Sequence, residues 1–337
     1  MRHLLVTHAD DPIGRRIVKQ LYHDERIENL LAVGQGPAPR AFDSFLAEAP
    51  ARFSYARADL AKHRPVSDLF HSTRFRDADI DTVIHVPKHG APEHEPMPLV
   101  AGVPARTSEA RLILQHSLEA KSVQNLIAVG SAFVYRLLPG NSNRLIENSE
   151  LNLDPEADPE LRSWVDCDMI FHAEVHGERL RTVLLRVPTV VAPGGYVYLN
   201  PILSGAAGPR LRPLGFDPMC AVISDKDVAK AVQAAVHADR SGVYNVAGCE
   251  TLPLSILARW TQRPSIPIPT TVLRTLAAGA SFLRAHHLRP VLAGPHLRYG
   301  FTLDTELAAR DLGFRPSYRI GLARDGDGRA RLEAYPA

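Results

Sequence analysis

The turn after the first apolar segment has the position of a phosphate-binding loop. Leu4–Val6 has the composition of a short strand, and the apolar residues of Ile13–Leu21 recur at helical spacing. In a strand–turn–helix unit of this kind, the free N–H groups at the start of the helix can bind a pyrophosphate. Asp11 and Pro12, however, have the sequence of an aspartate N-cap followed by proline at the first helical position. We therefore expect the Asp11 carboxylate to accept the N–H groups that a phosphate needs.

The same carboxylate would also repel a bound phosphate. Two like charges about 4 Å apart repel by roughly 1 to 4 kcal/mol at dielectrics between water and a protein surface, which weakens binding about tenfold to a thousandfold. Asp10, the preceding residue, adds to this repulsion. Two interpretations remain open, a self-capped helix with no pyrophosphate and a weakened cofactor site.

A second polar cluster follows the fourth predicted strand, in the segment HVPKHGAPEHE. Lys88 could contact a phosphate group, and the histidines of the segment could bind a metal. The cluster consists of His85, Lys88, His89, Glu93, His94 and Glu95. Its spacing matches no established set of metal ligands, so we predict a solvated loop and no metal site.

The elements that position these residues alternate between strand and helix. Short apolar segments spaced by helical or loop segments are typical of a parallel sheet that is buried on both faces. The predicted strands are Leu4–Val6, Leu30–Val33, Arg52–Tyr55, Thr82–Val86, Leu126–Val129 and Thr182–Leu185, and the predicted helices include Ile13–Leu21 and Ala110–Leu118. With right-handed crossovers, this order predicts a Rossmann-type, doubly wound α/β fold.

The character of the sequence changes near residue 190, where glycine and proline become frequent. We expect a Rossmann-type domain over residues 1–190 and a smaller C-terminal lobe over 191–337, partly interleaved with the first domain. Other predicted elements are a long loop at Leu137–Ser163 and helices near Asp227–His237 and Leu254–Arg259. Thr271–Leu283 has one apolar helical face, which predicts a packing helix or, alternatively, a helix that binds a membrane surface or a partner.

The composition excludes some classes of partner. The 39 basic residues nearly balance the 37 acidic ones, so the net charge of +2 gives no reason to expect nucleic-acid binding. No apolar stretch is long enough to span a bilayer. The three cysteines lack metal-type spacing and would leave one unpaired if two were bonded, which favours a reduced, cytoplasmic compartment.

Several motifs resemble those of one family, in the same order along the chain. VTHADDPIG resembles T-G-x-x-G-x-x-G, with Thr7 and Gly14 in place and with His8 and Asp11 at the first two glycine positions. That fingerprint belongs to extended and atypical short-chain dehydrogenases/reductases, the NAD-dependent epimerase/dehydratase family. Further resemblances are ARADL, DIDTVIHV, VGSAFVY, LLRVPTVVAP, SDKDVAKAV, GVYNVAG and LGFRPSY, so the resemblance covers nearly the whole chain.

The resemblance implies a row of cofactor-binding positions. Asp59 and Leu60 match an aspartate-leucine pair that usually faces adenine, whereas Gly34 stands where the family commonly presents an acid to the ribose. Without that acid, NADP is favoured over NAD if a cofactor binds, with Arg15 and Arg40 as 2′-phosphate partners or simply as surface arginines. The implied cofactor-binding residues are Thr7, His8, Asp11, Pro12, Ile13, Gly14, Arg15, Asp59, Leu60, Val86 and Lys88.

At the catalytic positions that the resemblance implies, most residues of this chain differ from those of the family. Ser131 matches the catalytic serine. The family's Y-x-x-x-K motif needs a tyrosine as general acid/base and a lysine one turn later, whose charge lowers the pKa of the phenol. The matching segment RSWVDCDMIFHAE contains neither residue and places Trp164 and Asp168 there, or Asp166 and Ile170 in a shifted register. Ser131 alone would be a binding group at most.

Three functional hypotheses follow. The leading one is a catalytically degenerate pseudoenzyme with no cofactor or weakly bound NAD(P), which binds a nucleotide, a metabolite or a protein and acts as a regulatory module. The alternative is an NADP-dependent oxidoreductase, epimerase or dehydratase with relocated acid/base groups, for which Lys88, Ser131 and Tyr135, at the family's structural tyrosine, are candidates. The third is a subunit that associates with a protein or membrane through Thr271–Leu283. The resemblance also implies a possible homodimer.

Overall fold

The structure is a computed structural model of the chain. It describes residues 1–88, 103–138, 140, 142–155, 157, 159–192, 196–198, 210–260, 265–269, 271–272, 275, 299–324 and 330–337. The predictions for His89, Glu93, His94 and Glu95 and for most of Thr271–Leu283 lie outside the described residues.

A seven-stranded parallel sheet forms the centre of the molecule, in the order β12-β7-β5-β4-β1-β2-β3. Its strands are β1 (Arg2–Val6), β2 (Ile27–Gly34), β3 (Phe53–Arg57), β4 (Thr82–His85), β5 (Asn125–Ser131), β7 (Arg181–Val187) and β12 (Gly242–Asn245). β1 pairs with both β2 and β4, so the strand order reverses there, and ligands of doubly wound sheets bind at the carboxyl ends of the strands at such a point. The predicted Rossmann-type fold is confirmed.

Helices cover both faces of this sheet, because side chains alternate between the two faces of each strand. Leu4 and Val6 pack with α1 and α7 on one face, and Leu5 packs with α3 and α5 on the other. The helices are α1 (Pro12–Tyr22), α2 (Asp43–Glu48), α3 (His63–Phe70), α4 (Thr73–Asp77), α5 (Val103–Glu119), α6 (Pro159–Glu174), α7 (Asp225–His237), α8 (Leu254–Trp260) and α9 (Glu306–Asp311), with short 3-10 helices at Arg40–Phe42 and Ala132–Val134.

The prediction of a loop from Leu137 to Ser163 is wrong in its last part. The structure begins α6 at Pro159, four residues before the predicted end of the loop. Leu161, Trp164 and Val165 are all buried, and their spacing is helical, so the turn in which they lie packs into the core rather than facing solvent.

The smaller sheets are built mostly from residues after 187, with β6 (Arg144–Leu145) as the exception. A four-stranded sheet in the order β13-β11-β8-β9 contains β8 (Thr189–Ala192), β9 (Tyr196–Tyr198), β11 (Met219–Ser224) and β13 (Thr251–Pro253). Two-stranded sheets pair β6 (Arg144–Leu145) with β15 (Thr302–Leu303), β10 (Arg210–Leu214) with β14 (Ser265–Pro269), and β16 (Tyr318–Arg324) with β17 (Ala330–Pro336). Because β12 follows residue 191 but lies in the central sheet, the chain returns to its first layer. No helix among the described residues is long and apolar enough to cross a membrane.

Candidate functional site

The turn between β1 and α1 caps its own helix, as predicted. The Asp11 side chain is the N-cap, and its Oδ1 accepts a hydrogen bond from the Ile13 N–H at 3.2 Å. Pro12 occupies the first helical position and has no N–H to offer. Of the first two helical residues, Pro12 therefore has no N–H and Ile13 has its N–H bonded to a carboxylate.

His8 is the second residue after the end of β1. Its backbone φ is 47°, in the left-handed region that glycine adopts without strain. Its imidazole turns toward α5, where His8 Nε2 lies 3.0 Å from Glu109 Oε2, and both residues are at most 2% exposed. The side chain at the family's first glycine position is thus held by a buried hydrogen bond rather than pointing into solvent.

Gly14 is the one glycine of the fingerprint that the turn retains, and packing explains it. A Cβ at residue 14 would lie 2.1 Å from the backbone oxygen of His8. No side chain fits at that distance, so the close approach of helix and turn requires glycine.

Polar contacts also join β1 to β4 at the point where the strand order reverses. Thr7 Oγ1 accepts a hydrogen bond from the Val86 N–H at 2.9 Å and lies 3.2 Å from His85 Nδ1. His85 is buried, and its ring packs 5.5 Å from that of Phe171 in α6. His85 is therefore a core residue and not part of the predicted solvated loop.

On the β2 side of the crevice, the Asp10 carboxylate takes the backbone donors that follow the strand. Asp10 Oδ2 accepts hydrogen bonds from the N–H groups of Gln35 at 3.0 Å and Gly36 at 2.9 Å. A Cβ at Gly34 would lie 2.6 Å from Asp10 Cγ and 2.2 Å from the Tyr55 hydroxyl. An acidic side chain does not fit at residue 34 because Asp10 and Tyr55 occupy that space.

A chain of side chains then crosses the ends of β2, β3 and β4. Lys88 Nζ donates to Gln35 Oε1 at 2.9 Å, and Gln35 Nε2 lies 3.5 Å from Asp59 Oδ1. Asp59 also pairs with Lys62 at 2.9 Å, and that hydrogen bond, opposed by burial, lowers the pKa of the Asp59 carboxyl. The Leu60 side chain is fully buried in the core. Sequence reasoning missed Gln35, which links Lys88 to Asp59.

The two arginines predicted as partners of a 2′-phosphate have different surroundings. The Arg15 guanidinium donates to the Asp10 backbone oxygen at 2.9 Å, so it is attached to the turn itself. Arg40 is exposed at the start of a short 3-10 helix.

Beyond β4, the residues at the catalytic positions are buried and bonded. Ser131 Oγ accepts from the Phe133 N–H at 3.2 Å and caps a short 3-10 helix. The Tyr135 hydroxyl donates to Asn245 Oδ1 at 2.7 Å and accepts from Arg186 at 3.0 Å. Burial raises the pKa of Tyr135 to about 12 in spite of the adjacent guanidinium.

Asp168 serves as the counter-ion of Arg186. The two side chains form a bidentate pair, with Asp168 Oδ2 at 2.8 Å from Arg186 Nε and Oδ1 at 2.7 Å from the second nitrogen. The Arg186 side chain is 0% exposed and that of Asp168 is 1% exposed. In the alternative register, Asp166 is exposed and Ile170 is half-buried.

Trp164 contacts a buried cation that sequence reasoning did not identify. The Arg106 guanidinium of α5 lies 4.0 Å from the centre of the Trp164 ring, and one of its nitrogens donates to Ser163 Oγ at 2.5 Å. Arg106 and Glu109 are three residues apart, so both extend from one side of α5. The available signal was this charged pair, which lies just before the predicted helix Ala110–Leu118.

The described residues contain no group of three or more potential metal ligands.

The thiols of Cys167 and Cys220 are buried, and burial raises the pKa of each to about 12, so neither has the character of a nucleophile. The N-cap of α7 is Ser224, whose side chain accepts from the Asp227 N–H, and Asp225 and Asp227 lie in the first turn of that helix.

Comparison with known proteins agrees with this architecture. No protein-family model matches the chain. Uncharacterized proteins of Mycobacterium tuberculosis (strain ATCC 25618 / H37Rv) and Mycobacterium bovis are each 23% identical over 338 residues, which is 97% of this chain and 84% of theirs.

Solved structures of sugar-nucleotide enzymes superpose on most of the chain. A dTDP-glucose 4,6-dehydratase from Streptomyces venezuelae with bound NAD is 18% identical, covers 97% of this chain and 94% of its own, and has a TM-score of 0.65. The UDP-glucuronic acid 4-epimerase of Bacillus cereus, in complex with UDP-glucuronic acid and NAD, is 17% identical with 94% of each chain covered and a TM-score of 0.63. The chain therefore has the fold of the NAD-dependent epimerases and dehydratases, as the order of its motifs predicts.

Proposed function

We propose that this chain is a catalytically degenerate relative of the epimerases and dehydratases, a pseudoenzyme that binds a small molecule or a protein and acts as a regulatory module. The observation that carries the proposal is the Asp11 cap on α1, at the place where a dinucleotide fold binds pyrophosphate. A cytoplasmic location, which the number and spacing of the three cysteines favour, is part of the proposal, as is a homodimer.

The residues at the helix tip do not fit a pyrophosphate. A phosphate there would have to displace the Asp11 carboxylate from the Ile13 N–H and would then lie beside two adjacent aspartates. The His8 imidazole and its partner Glu109 occupy the neighbouring space on the α5 side. Asp10 blocks the β2 side by accepting the N–H groups of Gln35 and Gly36. No step of a hydride-transfer reaction is therefore assigned to this crevice.

The catalytic half of the crevice supports the same conclusion. Proton transfer needs a group whose pKa lies near the working pH and whose proton can reach the substrate. Asp168 is fully engaged with Arg186, and the Tyr135 hydroxyl is buried between Asn245 and Arg186 with its pKa at about 12. An indole, as in Trp164, has no proton to transfer in the useful range.

One observation favours the alternative, an NADP-dependent oxidoreductase, epimerase or dehydratase with relocated acid/base groups. The dehydratase and the epimerase compared above hold NAD in their structures, and in this chain Lys88 is an exposed cation at the carboxyl edge of the sheet. In that case Lys88 would contact the cofactor or the substrate, and NADP would be preferred because no acid stands at Gly34.

Titration calorimetry with NADH and NADPH separates the two hypotheses. We expect no measurable binding to the unaltered chain. The variant His8→Gly/Asp11→Gly/Glu109→Leu restores glycine at both positions and removes the carboxylate that would otherwise lose its imidazole partner. It should bind about tenfold to a thousandfold more tightly, since it removes a charge repulsion of roughly 1 to 4 kcal/mol.

Asp11→Asn tests the charge alone, because asparagine is as good an N-cap as aspartate. Asp43→Asn, at the start of α2, is the matched control and should change nothing. Micromolar binding of NADPH to the unaltered chain, or hydride transfer with sugar-nucleotide, sterol-like or flavonoid-like substrates that is lost in Lys88→Ala, would establish the alternative instead.

A further inference from the structure

A cavity of about 750 Å³ lies at the end of the central sheet opposite the crevice. It is bounded by the last turns of α7, by the turn that leads to β12, by the segment after α9, and by Arg26 from the turn before β2. Both turns precede strands of a parallel sheet, so the cavity lies at the amino edge. Its volume is in the range of small-molecule binding sites.

Cations outnumber anions in the wall of this cavity. The charged lining residues are Arg26, Lys230, Arg240, Arg315, Asp239 and Asp311, four basic against two acidic, beside His237. Asp311 is already bonded to Arg310, which lies outside the cavity wall, at 2.8 and 3.2 Å. The lining residues therefore carry an excess of two positive charges, although Arg26 is paired with Asp24 beside the wall at 3.1 Å.

Two of these cations face solvent without a described acceptor. Arg240 and Arg315 are exposed, and within the described ranges neither makes a side-chain hydrogen bond or an ion pair with the protein, although Arg240, after the Arg310 hydrogen bond, also contributes to the lowered pKa of Asp311. Guanidinium groups bind phosphate oxygens with paired hydrogen bonds, which makes free arginines at a cavity wall suitable ligands for an oxyanion.

A buried carboxylate holds one side of the cavity in place. Asp24, with a side chain 5% exposed, accepts hydrogen bonds from Gln233 at 2.6 Å, from His237 at 2.7 Å and from Arg26 at 3.1 Å. These donors come from α7 and from the turn before β2, and Asp24 joins them. The wall is therefore built before any ligand arrives, which lowers the entropic cost of binding.

A second buried carboxylate holds the other side. Asp227 is 0% exposed and accepts hydrogen bonds from the Ser317 N–H at 3.0 Å and the Tyr318 N–H at 3.1 Å, which fixes the segment after α9. Ser317 Oγ in turn accepts from Lys230 Nζ at 2.6 Å. Leu312, 8% exposed, and Phe314, 3% exposed, line the cavity between the charged walls, and each offers a small apolar edge to it.

From this arrangement we infer that the amino-edge cavity binds a small organic molecule bearing a phosphate group. Arg240 and Arg315 would bind the phosphate, and the apolar surface of Leu312 and Phe314 would contact the remainder of the ligand. The site goes beyond the proposed function, since it uses none of the residues of the crevice and lies at the other edge of the sheet.

Calorimetric titration of the full chain with inorganic pyrophosphate and with AMP tests this site. We expect millimolar or tighter binding at low salt that weakens as potassium chloride is added, because the contacts are exposed charges. Arg240→Ala/Arg315→Ala should weaken both ligands about tenfold or more. Arg64→Ala/Arg111→Ala removes two exposed arginines from α3 and α5 and should leave both affinities unchanged.

Leu312→Ala separates the two parts of the proposed ligand. It should weaken AMP more than pyrophosphate, and a circular dichroism spectrum like that of the unaltered chain shows that the variant is folded. Absence of pyrophosphate binding, or binding that persists in Arg240→Ala/Arg315→Ala, overturns the inference. Neither result bears on the crevice, which is tested by NADPH binding to the variant His8→Gly/Asp11→Gly/Glu109→Leu. That titration is repeated with Arg240→Ala/Arg315→Ala added, so that phosphate contacts at the amino-edge cavity do not contribute to the measured binding.

Discussion

Replacing Asp168 by asparagine distinguishes a structural carboxylate from a catalytic one. The substitution keeps the size of the side chain and removes its charge. Asp168 receives two short hydrogen bonds from Arg186, whose side chain is 0% exposed. In the variant, the guanidinium would stay buried without its hydrogen-bonded carboxylate.

The expected loss is large because the charge of Arg186 cannot reach solvent. Removing one partner of a buried ion pair costs about 3 to 5 kcal/mol of folding free energy, mostly through the uncompensated charge that remains. Replacing both members by apolar residues, in Asp168→Leu/Arg186→Met, should cost less than either single replacement, since no charge is then left buried.

Urea unfolding followed by circular dichroism measures these differences. Asp166→Asn is the matched control, because it makes the same chemical change on the same helix at an exposed position, and we expect less than about 0.5 kcal/mol. The reasoning fails if Asp168→Asn is as stable as the control. It also fails if that variant keeps its stability and loses an NADPH-dependent activity of the unaltered chain, which would give Asp168 a role in proton transfer.

Three further predictions concern the turn, the amino edge and a buried tyrosine. Gly14→Ala should lower the free energy of unfolding by about 1 to 3 kcal/mol, because its Cβ would meet the His8 oxygen at 2.1 Å, whereas Gly36→Ala, with its nearest contact at 3.4 Å, should not. Burial alone would raise the pKa of Asp24, but its hydrogen bonds outweigh burial and hold the pKa well below its ordinary value. Its contribution to stability is therefore complete above about pH 4 and decreases as the pH falls further, so Asp24→Asn should flatten the acid limb of a stability-against-pH curve. Burial raises the pKa of Tyr135 to about 12, so the folded chain keeps a proton that the unfolded chain loses above about pH 10. Stability should fall from about pH 10 to 12, and Tyr135→Phe should reduce that fall in alkaline unfolding curves.

Local features of the sequence predicted much of the fold and one element of the site. The apolar strands and the Asp11 cap depend on residues that are neighbours in the chain, and both are confirmed. The predicted loop ends too late, at Ser163, because tertiary packing makes its last turn helical, with Leu161 and Trp164 in the core.

The contacts that occupy the crevice could not be predicted in the same way. His8 and Glu109 are 101 residues apart, and Asp10 is 25 residues from Gln35, so only the folded arrangement brings each pair together. The pairing of Asp168 with Arg186 joins a helix to a strand across a separation of 18 residues. A motif shows which residues depart from a pattern, but it does not show which distant side chain each departure will contact.

The buried bond between His8 and Glu109 also has an evolutionary consequence. A single change of His8 to glycine would leave the Glu109 carboxylate buried with its imidazole partner gone, and a single change of Glu109 would orphan the imidazole. Either intermediate is less stable than the starting protein by roughly 1 to 3 kcal/mol, a loss that selection removes in a marginally stable fold. Exchange of this pair for glycine and an uncharged residue would therefore need two substitutions, on separate elements, at nearly the same time, which makes the pair difficult to lose.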